Sequence, residues 1–321
     1  MRITSTLLTT AVITTSLLAG STSAGAASPP LSDSMITTHF DLATGQTPEN
    51  LVARPNGSTD VTLVGSRQIA NIGRDGQIRV LATMPLPADG GVNTPLAGTA
   101  APTGITRASD GTIFVAYAAG DSSLTGLWSF KPGTPPRRIS ALPAASFPNG
   151  IALDESSDTV YIADSALGTV WQVPREGGAA QVWSTGPGLE RSAFAGANGL
   201  KVHLGAVWVS NTDAGTLLRI PVGQDGSAGQ AEQHAAGLTG IDDFAFTGRG
   251  EEILAALFMP NQVILVDRFG ETTTVLDATD GLQNPTAVSV QRSTVVVSGS
   301  ARATGVDPNL VTATLQKKSH R

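Results

Sequence analysis

One short motif returns six times along this chain, and its spacing limits the possible folds more than any other feature. Each copy opens a β-prone run on Pro-x-Gly or a near relative. The copies read TPENLV around Glu49, APTGIT around Thr103, FPNGIA around Asn149, GANGLK around Asn198, GIDDFA around Asp242 and NPTAVS around Thr286. The gaps between these residues are 54, 46, 49, 44 and 44. Units of this length, each holding several strands, bury their apolar faces only by stacking on their neighbours. Each motif is followed by a turn and a run rich in β-branched and aromatic residues: VTLVGS, TIFVAY, TVYIADS, AVWVSN, EILAALF and TVVVSG. Turn signals such as Asn56-Gly57, Asp110-Gly111 and Arg249-Gly250 separate the two. Third and fourth runs follow in most units, for example GLWSFK with RRISAL and GTVWQV with AQVWST. Six units of four strands predict an all-β fold, a six-bladed β-propeller.

One strand is missing from that count. The sixth unit reaches VTATL near Leu315 and ends in the polar segment 316–321. The run ITTHFDL, Ile36 to Leu42, precedes the first motif and reads as a strand. It is expected to complete the last blade, so that the N-terminal strand closes the ring and protects the sheet edges. The propeller is thus expected over 36–315, with no second domain. Residues 1–27 read as an export signal: Arg2, then an apolar and Thr-rich stretch, then the small residues STSAGAAS. The mature chain is expected to be secreted and free of the membrane, with a retained N-terminal anchor as the alternative.

Composition narrows the chemistry. There is no cysteine, so disulfides, thiol catalysis and thiolate metal sites are excluded. A net charge of −6 gives no basic footprint for nucleic acid. The expected partner is a small-molecule substrate, met by a monomer.

In a propeller the innermost strand of each blade starts at one mouth of the central channel. The six motif residues, Glu49, Thr103, Asn149, Asn198, Asp242 and Thr286, therefore belong to one ring of oxygen-bearing side chains. Two of them are carboxylates, which repel each other unless a cation lies between them. Calcium accepts such a set: Glu49, Asn149, Asn198 and Asp242 are the expected ligands. Zinc fits poorly without cysteine or a histidine pair on the ring. The alternative is that these groups only cap strand ends and bind channel water. Thr103, Asn211, Phe147, Phe258 and Met259 map to the same face and are candidates for substrate contact. Asn211 equally reads as turn chemistry, and the aromatic residues as packing between blades.

The segments Phe147 to Val173, Gly196 to Val222 and Gly240 to Phe246, with Pro48 to Val52, resemble the SMP-30/gluconolactonase/luciferin-regenerating family of six-bladed propellers. The resemblance implies calcium ligands at Glu49, Asn198 and Asp242, with Asn149 touching the site. The family has Asp-Gly where this chain has Asp242-Asp243, and a one-residue slip would exchange the two aspartates. It also implies a calcium-dependent hydrolase acting on a lactone or related ester. Asp242 is then the candidate catalytic base, although a calcium-bound carboxylate is less basic. A condensing or cyclising enzyme similar to strictosidine synthase, and a binding propeller without catalysis, are the alternatives on the same fold.

Overall fold

The computed structural model describes residues 29–317; the expected export signal, 1–27, lies outside them. Six four-stranded antiparallel sheets stand in a ring, with two single-turn 3-10 helices at Leu42–Thr44 and Ala278–Asp280 as the only helical elements among the described residues. The innermost strands are Pro48–Ala53, Ala101–Arg107, Pro148–Asp154, Ala197–His203, Ile241–Phe246 and Pro285–Gln291. They are the six motif runs, and they face one another across the channel. Among the described residues no helix is long and apolar enough to cross a membrane.

The ring closes within the sixth blade. Its three C-terminal strands are joined at the outer edge by Leu31–His39, which pairs antiparallel with Asn309–Leu315. The closing strand begins at Leu31, ahead of the expected Ile36. Its first residues, Ser32, Asp33 and Ser34, carry turn-like chemistry, and Asp33 does take a left-handed backbone (φ 54°) within a register shift. Pairing with a neighbour overrides that local preference, and Leu31 packs into the core shared by the fifth and sixth blades. His39 sits on this outermost strand, away from the channel, and bonds Asp307 at 2.6 Å.

Between adjacent blades lie hydrophobic clusters that hold the ring together. Trp208 of blade 4 is wholly buried against Phe244, Ile253 and Ile264 of blade 5. Trp128 and Trp183 bridge the first and second, and the third and fourth, blades in the same way. Burying a ring of this size contributes about 4–6 kcal/mol by the area removed from water.

Two local devices set up the channel. Every innermost strand loses register with its neighbour directly at the motif: between Pro48 and Leu51, Pro102 and Ile105, Pro148 and Ile151, Ala197 and Leu200, Ile241 and Phe244, and Pro285 and Ala287. A bulge frees residues from the ladder and re-aims their side chains. The carbonyls it releases are caught by hydroxyls of the preceding blade. Thr62 donates to Thr103 O at 2.7 Å, Ser210 to Asp242 O at 2.7 Å and Ser298 to Glu49 O at 3.2 Å. The second device is the motif's glycine. A Cβ on Gly104 would stand 2.0 Å from the Asn149 carbonyl oxygen, and one on Gly150 2.4 Å from that of Asn198. Backbones approach so closely there that only glycine fits.

Candidate functional site

The bulges carry three ring residues to one point at the channel mouth. Asn198 Nδ2 donates to Asp242 Oδ1 at 2.9 Å and to Thr212 Oγ1 at 2.8 Å. Glu49 is buried on the first blade, and its carboxylate is close enough to Asp242 to raise that group's proton affinity. Burial is the larger cause: desolvation pushes Asp242 well above the usual carboxylate range, with Glu49 adding to it. Glu49 is raised as well, first by burial, against the opposing pull of Arg302. By its accessible surface Asp242 is half-buried, unlike the buried Glu49 and Asn198.

Arg302 is the cation of this site. Its Nη2 lies 2.7 Å from Glu49 Oε2. The contact is charge against charge, because Glu49 Oε2 has no aligned hydrogen bond. Arg302 rides on the loop after the second strand of blade 6, and that loop is pinned by Asn284. The Oδ1 of Asn284 accepts from the backbone of Ala303 at 3.0 Å and of Thr304 at 2.9 Å. Sequence reasoning missed this arginine. The signal was available, since loops after second strands lie on the channel-mouth face and SARATG follows TVVVSG directly.

One buried acceptor oxygen at this point, Asn198 Oδ1, lacks any donor, while Glu49 Oε2 is met by the Arg302 guanidinium alone. An uncapped amide oxygen beside a pair of carboxylates is the donor chemistry that a hard divalent cation takes. Among the described residues no three His, Cys, Asp or Glu side chains gather to hold a metal. The set reaches beyond two carboxylates only through amide oxygens and solvent.

The other expected site residues have different surroundings. Asn149 is buried one blade along, its amide 3.4 Å from Ser165 Oγ. The Thr103 hydroxyl is buried and donates to Pro148 O at 2.6 Å, tying blade 2 to blade 3. Asn211 is fully buried; its amide donates to Gly188 O and Glu190 O, and its oxygen accepts from Ala214 N. These bonds hold the rim loop and occupy both ends of the amide. Phe147 is buried, Phe258 is partly exposed, and Met259 stands out into solvent at the rim. Asp213 anchors the same rim loop by accepting from the backbone of Ser192, Ala193, Phe194 and Ala195.

The ring of bulged strands with its carboxylate pair defines a β-propeller with a polar channel mouth. No family model matches the chain, and no curated protein sequence matches it. Solved structures do. A calcium-binding protein, regucalcin, from Agrobacterium tumefaciens is similar with a TM-score of 0.64 at 14% identity, over 89% of this chain and 97% of that one. A protein described as a putative gluconolactonase gives 0.62 at 14% identity, over 90% and 94%. Virginiamycin B lyase from Staphylococcus aureus, an inactive variant with quinupristin, gives 0.59 at 13% identity, over 88% and 100%. At such identities the likeness establishes the propeller fold.

Proposed function

We propose that the chain is a secreted hydrolase of a lactone or a related ester, working at the mouth of the propeller channel with calcium. In this reading it is a distant member of the SMP-30/gluconolactonase group. One observation carries it: the buried amide oxygen of Asn198 lies without a donor beside two buried carboxylates, Glu49 and Asp242, whose proton affinities are both raised. Glu49, Asn198 and Asp242 would hold the ion, with Asn149 at its margin. When bound, calcium supplies positive charge that polarises a carbonyl and steadies charge developing on its oxygen.

The remaining steps fall to the chain's own side chains. Asn198 Nδ2 engages Oδ1 of Asp242 and fixes the plane of the carboxylate. Once a bound cation has displaced its proton, the other oxygen of Asp242 would serve as the base for an incoming water. Arg302, more than a third exposed, sits where an anionic group of substrate or product would meet it. Phe258 and Met259 offer an apolar rim for the rest of the ligand.

A second reading has its own support in the Arg302–Glu49 contact. There the guanidinium is the resident cation, and the site binds or transforms its ligand without a metal. A lyase, a condensing enzyme and a binding platform all belong to that reading.

The deciding experiment titrates calcium against a chelator while a lactone panel is assayed. The expected result is calcium-dependent turnover that Asp242→Asn lowers by about 100-fold or more. A protein that binds no calcium at millimolar concentration overturns the hydrolase reading as stated. Ligand binding or turnover that persists in chelator establishes the second.

A further inference from the structure

A second recess lies at the seam between the last blade and the first, at the far ends of the innermost strands from Glu49. Its volume is about 470 Å3. Three arginines line it. Arg54 follows the innermost strand of blade 1, Arg74 sits in the turn between that blade's outer two strands, and Arg292 sits in the first turn of blade 6. No aspartate or glutamate lines the recess.

The turns present these side chains for a reason legible in the backbone. Arg292 takes a left-handed conformation (φ 59°) at its hairpin. The Arg74 side chain lies across Gly57, where a Cβ would stand 3.0 Å from its Cδ. The glycine of the Asn56-Gly57 turn thus makes room for the guanidinium as well as for the turn itself.

The charge in this recess is only partly offset. Behind it, the buried carboxylate of Asp60 is claimed by Arg107 at 2.9 Å and by Asn71 at 2.7 Å, and Arg54 reaches it only at 3.9 Å. Elsewhere Arg175, Arg219, Arg249 and Arg302 all face acids. Arg74 and Arg292 belong to no ion pair among the described residues. Three arginines around one recess that no acid lines, two of them in no ion pair, make it locally cationic in a chain of net charge −6.

We propose that this recess binds a phosphate monoester. Guanidinium forks engage phosphate oxygens two at a time, which suits a dianion better than a single carboxylate. The recess exceeds a bare phosphate and falls in the size range of small-ligand sites. Its remaining lining, Gln291, Ser293 and Thr294 among it, is polar and fits a hydroxylated organic group. The site is separate from the channel mouth and does not depend on the chemistry proposed there.

Isothermal titration of the mature protein with glucose 6-phosphate, glucose and inorganic phosphate tests the assignment. Saturable binding of glucose 6-phosphate is expected, with inorganic phosphate weaker and glucose silent. The double variant Arg74→Ala/Arg292→Ala should lose roughly tenfold or more in affinity, since each charged hydrogen bond lost is worth about that factor. Both side chains are exposed, so its melting temperature should match the parent and show that the fold is kept. No binding up to about 10 mM, equal binding of glucose, or unchanged affinity in the double variant overturns the proposal. Vesicles carrying phosphatidic acid separate the sources of the phosphate. Binding of the free ester, with or without vesicle binding, supports the site, and binding to vesicles alone overturns it.

Discussion

Asp242 and Asp243 are neighbours on one strand, and their surroundings differ in the one respect that separates a structural ion pair from a working site. Asp243 is buried and fully answered. Lys201 Nζ lies 2.6 and 2.7 Å from its two oxygens, and Asn50 Nδ2 reaches across the channel at 3.0 Å. The lysine is itself held over the Phe244 ring. Asp242 has one amide from Asn198 and no cation of its own, and it shares the field of Arg302 with Glu49. A buried carboxylate with a dedicated lysine belongs to the fold. One left short of positive charge at a channel mouth can change its partner, and perturbed groups of that kind gather at functional sites.

The largest expected effect attacks the satisfied member. Lys201→Met strands the Asp243 carboxylate in the channel and should cost about 3 kcal/mol, as breaking a buried pair does. Denaturant unfolding measures it, and a loss below about 1 kcal/mol would remove the contrast. Asp242→Asn should act in the opposite sense. In chelator it relieves repulsion with Glu49 and should stabilise the protein by about 2 kcal/mol near neutral pH.

The same contrast predicts a pH slope. Asp242 keeps its proton to higher pH in the folded protein than in the unfolded chain, which gives it up near 3.8. Stability from that proton is present at low pH and is lost as pH rises through the folded value. Glu49 adds a slope of the same sign above about 4.5. Metal-free protein should therefore melt at progressively lower temperature as pH climbs above about 4, and Asp242→Asn should flatten the trend. Identical profiles for the two proteins would show that Asp242 titrates normally.

How far the sequence reached follows from which interactions are local. Blade count, strand order and the closing strand were legible because each rests on periodic apolar runs and turn residues. The ring of Glu49, Asn198 and Asp242 was legible because the motif repeats. Its companion was not, since Arg302 meets Glu49 across 253 positions of sequence and lies in a loop with no repeated signature. The two aspartates could not be told apart by pattern either. A bulge at Ile241–Phe244 sets which of them faces the mouth, and bulges leave no mark in alternation. Thr103 and Asn211 were chosen for their position on the mouth face. Their hydrogen bonds to Pro148 and to Gly188 and Glu190 are made with distant backbone that only the folded ring brings near.

The smallest expected effect asks whether the charge at Asp242 is merely low or is held ready for another cation. Arg302 neutralises Glu49 in the structure, so any cation entering between Glu49 and Asp242 must displace or outcompete the guanidinium. Arg302→Gln removes that competitor while keeping a side chain of similar reach. On the calcium reading, the variant should bind calcium about tenfold more tightly by titration calorimetry, equivalent to about 1.4 kcal/mol. In chelator it should be less stable than the parent, because two carboxylates then face each other with no positive charge between them. Both shifts arise from one displaced guanidinium and should appear together. Weaker or unchanged calcium binding, with the loss of stability still present, would identify Arg302 as the cation the site was built around, and would place Asp242 beside Asp243 as a carboxylate answered from within the chain.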